Sequence, residues 1–250
     1  MTVDGHIAII TINRPEARNA VNGNVASAME VALDHLDGDD DLWVGIITGE
    51  GTAFCAGADL KEIAAGNAGG LATKRGGFGG IVAHPRETPL IAAVNGPAVA
   101  GGCEILLSCD MAVVADHVVI GIPEVKRALV AAAGGLFRLP RAIGPALAME
   151  LALTGDPIPA QQALDLGLIN RVVAADQVMT EARALAERVA VNAPLAVKAS
   201  KAIVRGAFEK TEQELFRESG QAMAAMAQTE DFAEGPRAFI EKRAPEWKGR

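Results

Sequence analysis

The sequence predicts an α/β fold with a helical C-terminal region, on three observations. Short apolar runs of strand length alternate with segments of helical spacing as far as Val173. Two glycine-rich stretches, around Gly57 and around Gly101, each lie where a strand-like run passes into a helix-like one. The core must also be built from small and branched aliphatics, because half the residues are hydrophobic, only 4% are aromatic and Tyr is absent. A chain of 250 residues is long enough for one large domain, or for a core with a small appendage.

The elements follow in order. His6–Asn13 is rich in Ile and Thr and reads as a buried strand ending at Arg14-Pro15. Asn22–Leu36 carries Val25, Met29, Val31, Ala32 and Leu36 at near-helical spacing, and Gly38 with Asp39, Asp40 and Asp41 closes that helix. Trp43–Thr48 is the second strand and runs into the first glycine-rich junction. From Ala64 to Arg86 the chain is Gly- and Ala-rich with little pattern, which predicts a mobile helix and loop, with His84 a surface residue without a role. Pro89–Val94 is a strand, Cys103–Cys109 a helix, and Met111–Ala115 and Val118–Ile122 are short strands. Ala131–Gly135 leads into a helix. Pro145–Thr154 is helical, with Pro in its first turn and Gly155 as its stop. Pro159–Leu166 is a short helix and Leu168–Val173 the last strand; beyond Asp176 the pattern is helical, broken at Asn192-Ala-Pro194, at Gly206 and at Thr229-Glu-Asp231.

Charge and cysteine content exclude several classes. A net charge of −8 and a pI near 5.1 argue against nucleic-acid binding through the overall field. Lys198, Lys201 and Arg205 share one helical face, which reads as a solvated face. Cys55, Cys103 and Cys109 lie in apolar surroundings without metal-ligand spacing and read as small core residues in a reducing compartment, with no metal implied. The start of the chain lacks a signal-peptide pattern, and the most apolar stretch, Leu90–Cys103, is interrupted at Asn95-Gly-Pro97 and too short to span a bilayer. The expectation is a soluble, cytoplasmic protein with no membrane partner.

Two acidic residues stand out. Glu104 lies in the first turn of the helix after the second glycine-rich junction, among Val, Ala, Cys, Ile and Leu, where burial would raise its pKa and suit it to proton transfer. Glu124 follows the end of the strand Val118–Ile122, where chemistry on α/β scaffolds usually sits, though a solvated loop acid would look the same. The glycines at the two junctions either serve close packing or aim two backbone N–H groups at one oxygen, as an oxyanion hole requires.

With these residues in view, the sequence resembles the crotonase superfamily and, within it, the enoyl-CoA hydratases. Asn13-Arg-Pro-Glu-Ala-Arg-Asn-Ala20 resembles the family's opening, Phe54-Cys-Ala-Gly-Ala-Asp-Leu-Lys61 its first oxyanion loop, Asn95-Gly-Pro-Ala-Val-Ala-Gly-Gly-Cys-Glu104 its second, and Ala238-Phe-Ile-Glu-Lys-Arg-Ala-Pro245 its C-terminal signature. The resemblance implies a crotonase (ClpP-like) fold: a spiral of ββα units over residues 1–190 holding an acyl-CoA site, and a helical trimerisation region over 191–250, assembled as homotrimers or hexamers. It implies a lyase that adds water reversibly to a 2-enoyl-CoA to give a 3-hydroxyacyl-CoA, the alternative being an enoyl-CoA delta-isomerase or another crotonase-type acyl-CoA enzyme. Coenzyme A is then part of the substrate and no cofactor is needed. By position, the N–H groups of Ala58 and Gly101 hold the thioester oxygen, Glu104 activates water and Glu124 serves Cα. Arg14 and the loop Ala56, Gly57, Ala58, Asp59 and Leu60 contact CoA, and Phe239 and Lys242 reach the nucleotide of a neighbouring subunit. Val130-Ala-Ala-Ala-Gly-Gly135 departs from the proline-containing turn that many hydratases have there.

Overall fold

The computed structural model describes residues 1–250. Its strands and helices run β1 (Thr2–Asp4), β2 (Ile7–Ile12), α1 (Gly23–Gly38), β3 (Val44–Gly49), α2 (Leu60–Ala64), β4 (Ala72–Thr73), β5 (Gly77–Phe78), β6 (Leu90–Val94), β7 (Ala98–Val99), α3 (Gly101–Ser108), β8 (Met111–Ala115), β9 (Val119–Gly121), α4 (Gly135–Ile143), α5 (Pro145–Thr154), β10 (Ile158–Pro159), α6 (Ala160–Asp165) and β11 (Arg171–Val173), then four helices, α7 (Val178–Ala190), α8 (Pro194–Gly206), α9 (Glu212–Met226) and α10 (Glu230–Glu241). None is long and apolar enough to cross a membrane.

The main sheet has the order β1-β2-β3-β6-β8-β11, parallel from β2 onward with β1 added antiparallel at the edge. β3 and β6 are buried along their whole length. Such unbroken apolar runs belong to parallel strands covered on both faces. α7 packs across β3, β6 and β8, while Met29, Leu33 and Leu36 of α1 enter the same core. Asn22 caps α1 by accepting from the Val25 N–H at 3.0 Å.

A second, three-stranded sheet positions the site. β7 pairs in parallel with β9, with Ala98 opposite Ile120 and Val99 opposite Gly121, and Cys55 forms a parallel bridge to Ala98. Three chain segments therefore leave this sheet side by side in one direction: Cys55 toward Ala58, Val99 toward Glu104, and Gly121 toward Glu124.

The segment from Ala64 to Arg86 departs from the expected loose helix and loop. It forms a one-turn 3₁₀ helix (Ala68–Leu71) and the β4–β5 hairpin, fastened along one face of α1. Glu30 accepts from Thr73 Oγ1 and the Gly76 N–H, Asp34 pairs with Arg75 and His84, and Asp37 accepts the Glu87 and Thr88 N–H groups. His84 is buried rather than on the surface. The reason is tertiary: Glu30, Asp34 and Asp37 form an acidic helix face whose partners lie some 40–50 residues further along the chain.

Of the basic row on α8, Lys201 is not solvated, contrary to expectation, while Arg205 stays exposed. Lys201 is almost buried and donates to the Arg86 and Thr88 carbonyls while pairing with Asp110 at 3.1 Å. Arg205 pairs with the same carboxylate at 3.0 Å. The Asp110 side chain also accepts the Leu90 N–H, so one acid ties α8 to the edge of the main sheet. Lys201→Ala removes one partner of this buried knot and is expected to cost about 3 kcal/mol; urea unfolding measures it, and a loss under 1 kcal/mol would mean that the knot is slack.

At the C-terminus, Thr229 caps α10, and the buried Asp231 accepts the Lys248 and Gly249 N–H groups of the returning tail. Large apolar side chains, among them Phe208, Phe216, Phe239 and Ile240, remain exposed on this helical region.

Candidate active site

The two glycine-rich junctions meet. Gly57 has φ +92°, a conformation open to Gly, and a Cβ there would press on the Gly101 nitrogen and the Ala100 Cβ at 3.0 Å. Ala100 itself holds φ 52° and ψ −130°, a strained conformation for a residue with a side chain. It is held between two hydrogen bonds, its N–H to the Gly121 carbonyl and its carbonyl from the Glu104 N–H. The strain turns the chain abruptly from β7 into α3. As a result neither the Ala58 N–H nor the Gly101 N–H donates a hydrogen bond within the chain.

Both open onto a cavity of about 1280 Å³. Arg14, Ala56, Ala58, Asp59 and Leu60 line one part of it, Gly101, Glu104 and Glu124 another, and Leu71, Phe78, Val82, Val130 and Phe137 give it an apolar wall. Gly57 backs the junction without lining the cavity. Arg14 donates to the Ala20 carbonyl and pairs with Asp59 at 3.1 Å, so its charge is already met within the chain. Asp59 also accepts the Lys61 N–H, and these contacts hold its carboxyl below its ordinary pKa. Phe239 and Lys242 are not brought to the cavity of their own chain; Phe239 is 86% exposed on α10, and Lys242 caps that helix.

Glu104 and Glu124 share the cavity because β7 and β9 are parallel neighbours. Glu104 is 3% exposed and its Oε1 accepts the Gly135 N–H at 3.0 Å. Burial pushes its pKa up to about 7, with Glu124 adding to the rise and the Gly135 N–H opposing it. Glu124 sits on the 3₁₀ turn Pro123–Arg127, where burial raises its pKa too, and its Oε2 is buried without a partner. Two nearby carboxyls held toward their neutral forms can pass a proton to and from a bound molecule near neutral pH.

Because Glu104 binds its proton more tightly when folded, the folded state keeps a proton that the unfolded chain releases between pH 4.5 and about 7. Its contribution to stability is full below pH 4.5 and is lost as pH rises through about 7, a loss of about 3 kcal/mol. Glu104→Gln keeps an acceptor for the Gly135 N–H and has no charge to bury. Its Tm is expected to exceed that of the unmodified protein at about pH 8 and to match it in acid; equal Tm values throughout would show a well-solvated carboxylate.

The sequence reading missed the residues around Glu104 on its far side. Gly134, Gly135 and Arg138 build the N-terminus of α4, and the Gly-Gly pair just ahead of a helical pattern was the visible signal for it. Ala100 gave no signal, since its strain arises from chain crossing. Cys55 and Cys103 are fully buried, as expected of core residues, and burial pushes the Cys55 thiol up to about 12.

Comparison with known proteins agrees with this architecture. The model of the enoyl-CoA hydratase/isomerase family matches residues 2–250. A probable enoyl-CoA hydratase of Mycobacterium tuberculosis is 42% identical over 99% of this chain and 96% of its own length. A carnitinyl-CoA dehydratase of Salmonella typhi is 41% identical over 100% of this chain and 98% of its own. Among solved structures, an enoyl-CoA hydratase from Mycobacterium tuberculosis H37Rv superposes with a TM-score of 0.95 at 45% identity, covering 100% of this chain and 98% of that one. With the fold, the order of its motifs and the match along its whole length in agreement, the chain belongs to the enoyl-CoA hydratase/isomerase family of the crotonase superfamily.

Proposed function

We propose that the protein adds water reversibly across the conjugated double bond of a 2-enoyl-CoA to give a 3-hydroxyacyl-CoA. The observation that carries this reading is the pair of buried carboxyls, Glu104 and Glu124, on one cavity whose wall also presents two unpaired N–H groups. The thioester carbonyl sits between the Ala58 and Gly101 N–H groups, which stabilise the enolate charge that develops as the reaction proceeds. Ionised Glu104 takes a proton from water as its oxygen bonds to Cβ, and neutral Glu124 gives its proton to Cα. The product leaves Glu104 protonated and Glu124 ionised, and proton exchange restores the pair. The two titrate together, so the acid limb of kcat/KM belongs to the pair.

CoA lies along Arg14 and the Ala56–Leu60 loop. The same reading makes the protein a trimer or a pair of trimers, in which Phe239 and Lys242 reach the CoA of a neighbouring subunit; the exposed apolar side chains of α9 and α10 support it. Sedimentation equilibrium tests the assembly, and a monomer at micromolar concentration would refute it.

Loss of the conjugated-thioester absorbance of crotonyl-CoA and of a longer 2-enoyl-CoA tests the activity. Carnitinyl-CoA, named in several relatives, is the next compound to assay for dehydration. The expected result is hydration of at least one enoyl-CoA, with an acid limb that belongs to the Glu104–Glu124 pair and lies above the ordinary carboxylate range because burial raises both. Inertness toward these compounds together with conversion of a 3-enoyl-CoA into a conjugated one would replace this reading with an isomerase.

A further inference from the structure

Arg138 is a cation on the cavity wall that joins two separate parts of it through backbone carbonyls alone. From the first full turn of α4 its guanidinium folds back toward the helix start, donating through Nη1 to the Ala133 carbonyl at 3.2 Å and through Nη2 to the Val82 carbonyl at 2.6 Å. Ala133 lies two residues before Gly135, whose N–H is bonded to Glu104. Val82 belongs to the apolar wall that the acidic face of α1 holds in place. Between them, Gly134 has φ +117° and lies so close to the guanidinium that a Cβ there would run into it. The positive φ favours glycine there, and the guanidinium lies over the turn that this glycine makes. No carboxylate pairs with it, and it makes only carbonyl hydrogen bonds.

We propose that Arg138 is a positioning residue for Glu104: by clamping the Ala133–Gly135 turn to the Val82 wall it holds the Gly135 N–H on the Glu104 carboxyl and fixes the orientation of that carboxyl in the cavity. The proposal rests on the reading of Glu104 as the base. Its physical content is that a guanidinium fork joins two backbone carbonyls at fixed spacing while adding an unpaired positive charge near a buried acid. The groups that face Glu104 are few. They are the Glu124 carboxyl beyond β9, the N–H groups of Gly135 and Ala133 at the start of α4, Arg138 on α4, and the Cys103 thiol on its own helix. Of these, Arg138 alone brings positive charge. Arg138 in turn is faced by Arg86 and Arg205, which raise the cost of holding it charged there.

The test uses Arg138→Met and Arg138→Lys in the full chain, with two readouts. The first is the ¹³C carboxyl titration of Glu104 in the ligand-free protein, assigned by its absence in Glu104→Gln. The second is the pH profile of kcat and KM for crotonyl-CoA. In Arg138→Met the Glu104 midpoint moves upward by about one pH unit, a tenfold change in proton affinity. The acid limb of kcat/KM follows it, and kcat falls by about 10–100-fold with a smaller change in KM, as expected when a reacting group is misplaced. Arg138→Lys restores the charge but cannot bridge both carbonyls, so the midpoint returns toward its original value while kcat stays depressed. If the Met variant does not fold, the Lys variant carries the test: full kcat in Lys overturns the clamp. A Glu104 midpoint that stays in place in Arg138→Met while Tm falls overturns the proposal as well, leaving Arg138 a staple of the wall. Should the midpoint move as stated while the unmodified protein hydrates no enoyl-CoA, the positioning stands and the functional reading falls.

Discussion

Glu104→Gln and Glu124→Gln each lower hydration of a 2-enoyl-CoA by about 10²–10⁴-fold, and the double variant loses far less than the product of the two. Each substitution keeps the side-chain volume and removes the capacity to exchange a proton, so the loss falls on kcat, with KM little changed. The two acids act on one proton inventory, one taking a proton from water and the other delivering one to Cα. Once either is gone the concerted route is closed, and removing the second changes little. Steady-state kinetics on the two single variants and the double variant check this. Near-full conversion of a 3-enoyl-CoA into the conjugated isomer by Glu104→Gln, with total loss in Glu124→Gln, would point to the isomerase chemistry, in which one acid shuttles a proton and no water is consumed. Tm measured beside the kinetics separates chemistry from folding, because Glu104→Gln is expected to be the more stable protein above about pH 7.

Gly102→Ala is expected to lose about 3 kcal/mol of stability, roughly 6–12 °C in Tm for a chain of this size, and at least 10²-fold in kcat. A Cβ at this position would overlap the backbone carbonyl of Cys55 and come within 3.1 Å of the Cys55 side chain. A backbone carbonyl cannot swing aside as a long side chain can, so the first turn of α3 and the Cys55–Ala58 loop would be pushed apart. Those two segments carry the Gly101 and Ala58 N–H groups, which lose their common target when they separate. Scanning calorimetry and steady-state kinetics read the two effects. Gly38→Ala, with no atom within 4 Å of its new Cβ, is the matched control and should leave both unchanged. An unaltered Tm in Gly102→Ala would mean that the two junctions are further apart than described.

The difference between these glycines shows why local pattern alone does not rank them. Both lie at the ends of helices, Gly102 in the first turn of α3 and Gly38 in the last of α1. One closes a helix in open space, and the other lies where two chain segments cross at contact distance.

Much of the secondary structure was legible in the residues. The helix Pro145–Thr154 was readable because Pro suits its first turn and Gly155 takes the left-handed φ at its end. Asn22 marked the start of α1, and the apolar runs of β3 and β6 marked strands buried on both faces. These are short-range effects, set by backbone sterics, capping and the burial of contiguous side chains. The two glutamates could likewise be picked out, one because it stood among apolar residues and the other because it followed a strand.

Their meeting was decided by tertiary structure. It depends on the parallel pairing of β7 with β9 and on the Cys55–Ala98 bridge, contacts between two-residue and three-residue strands too short to leave any periodicity. The burial of His84 and Lys201 was decided in the same way, because a polar side chain looks solvated until its partner arrives from a distant part of the chain. Sequence determined which residues are able to carry chemistry. The packing of distant segments, which alone sets dielectric and distance, decided which of them share one cavity, and left Phe239 outside it within a single chain.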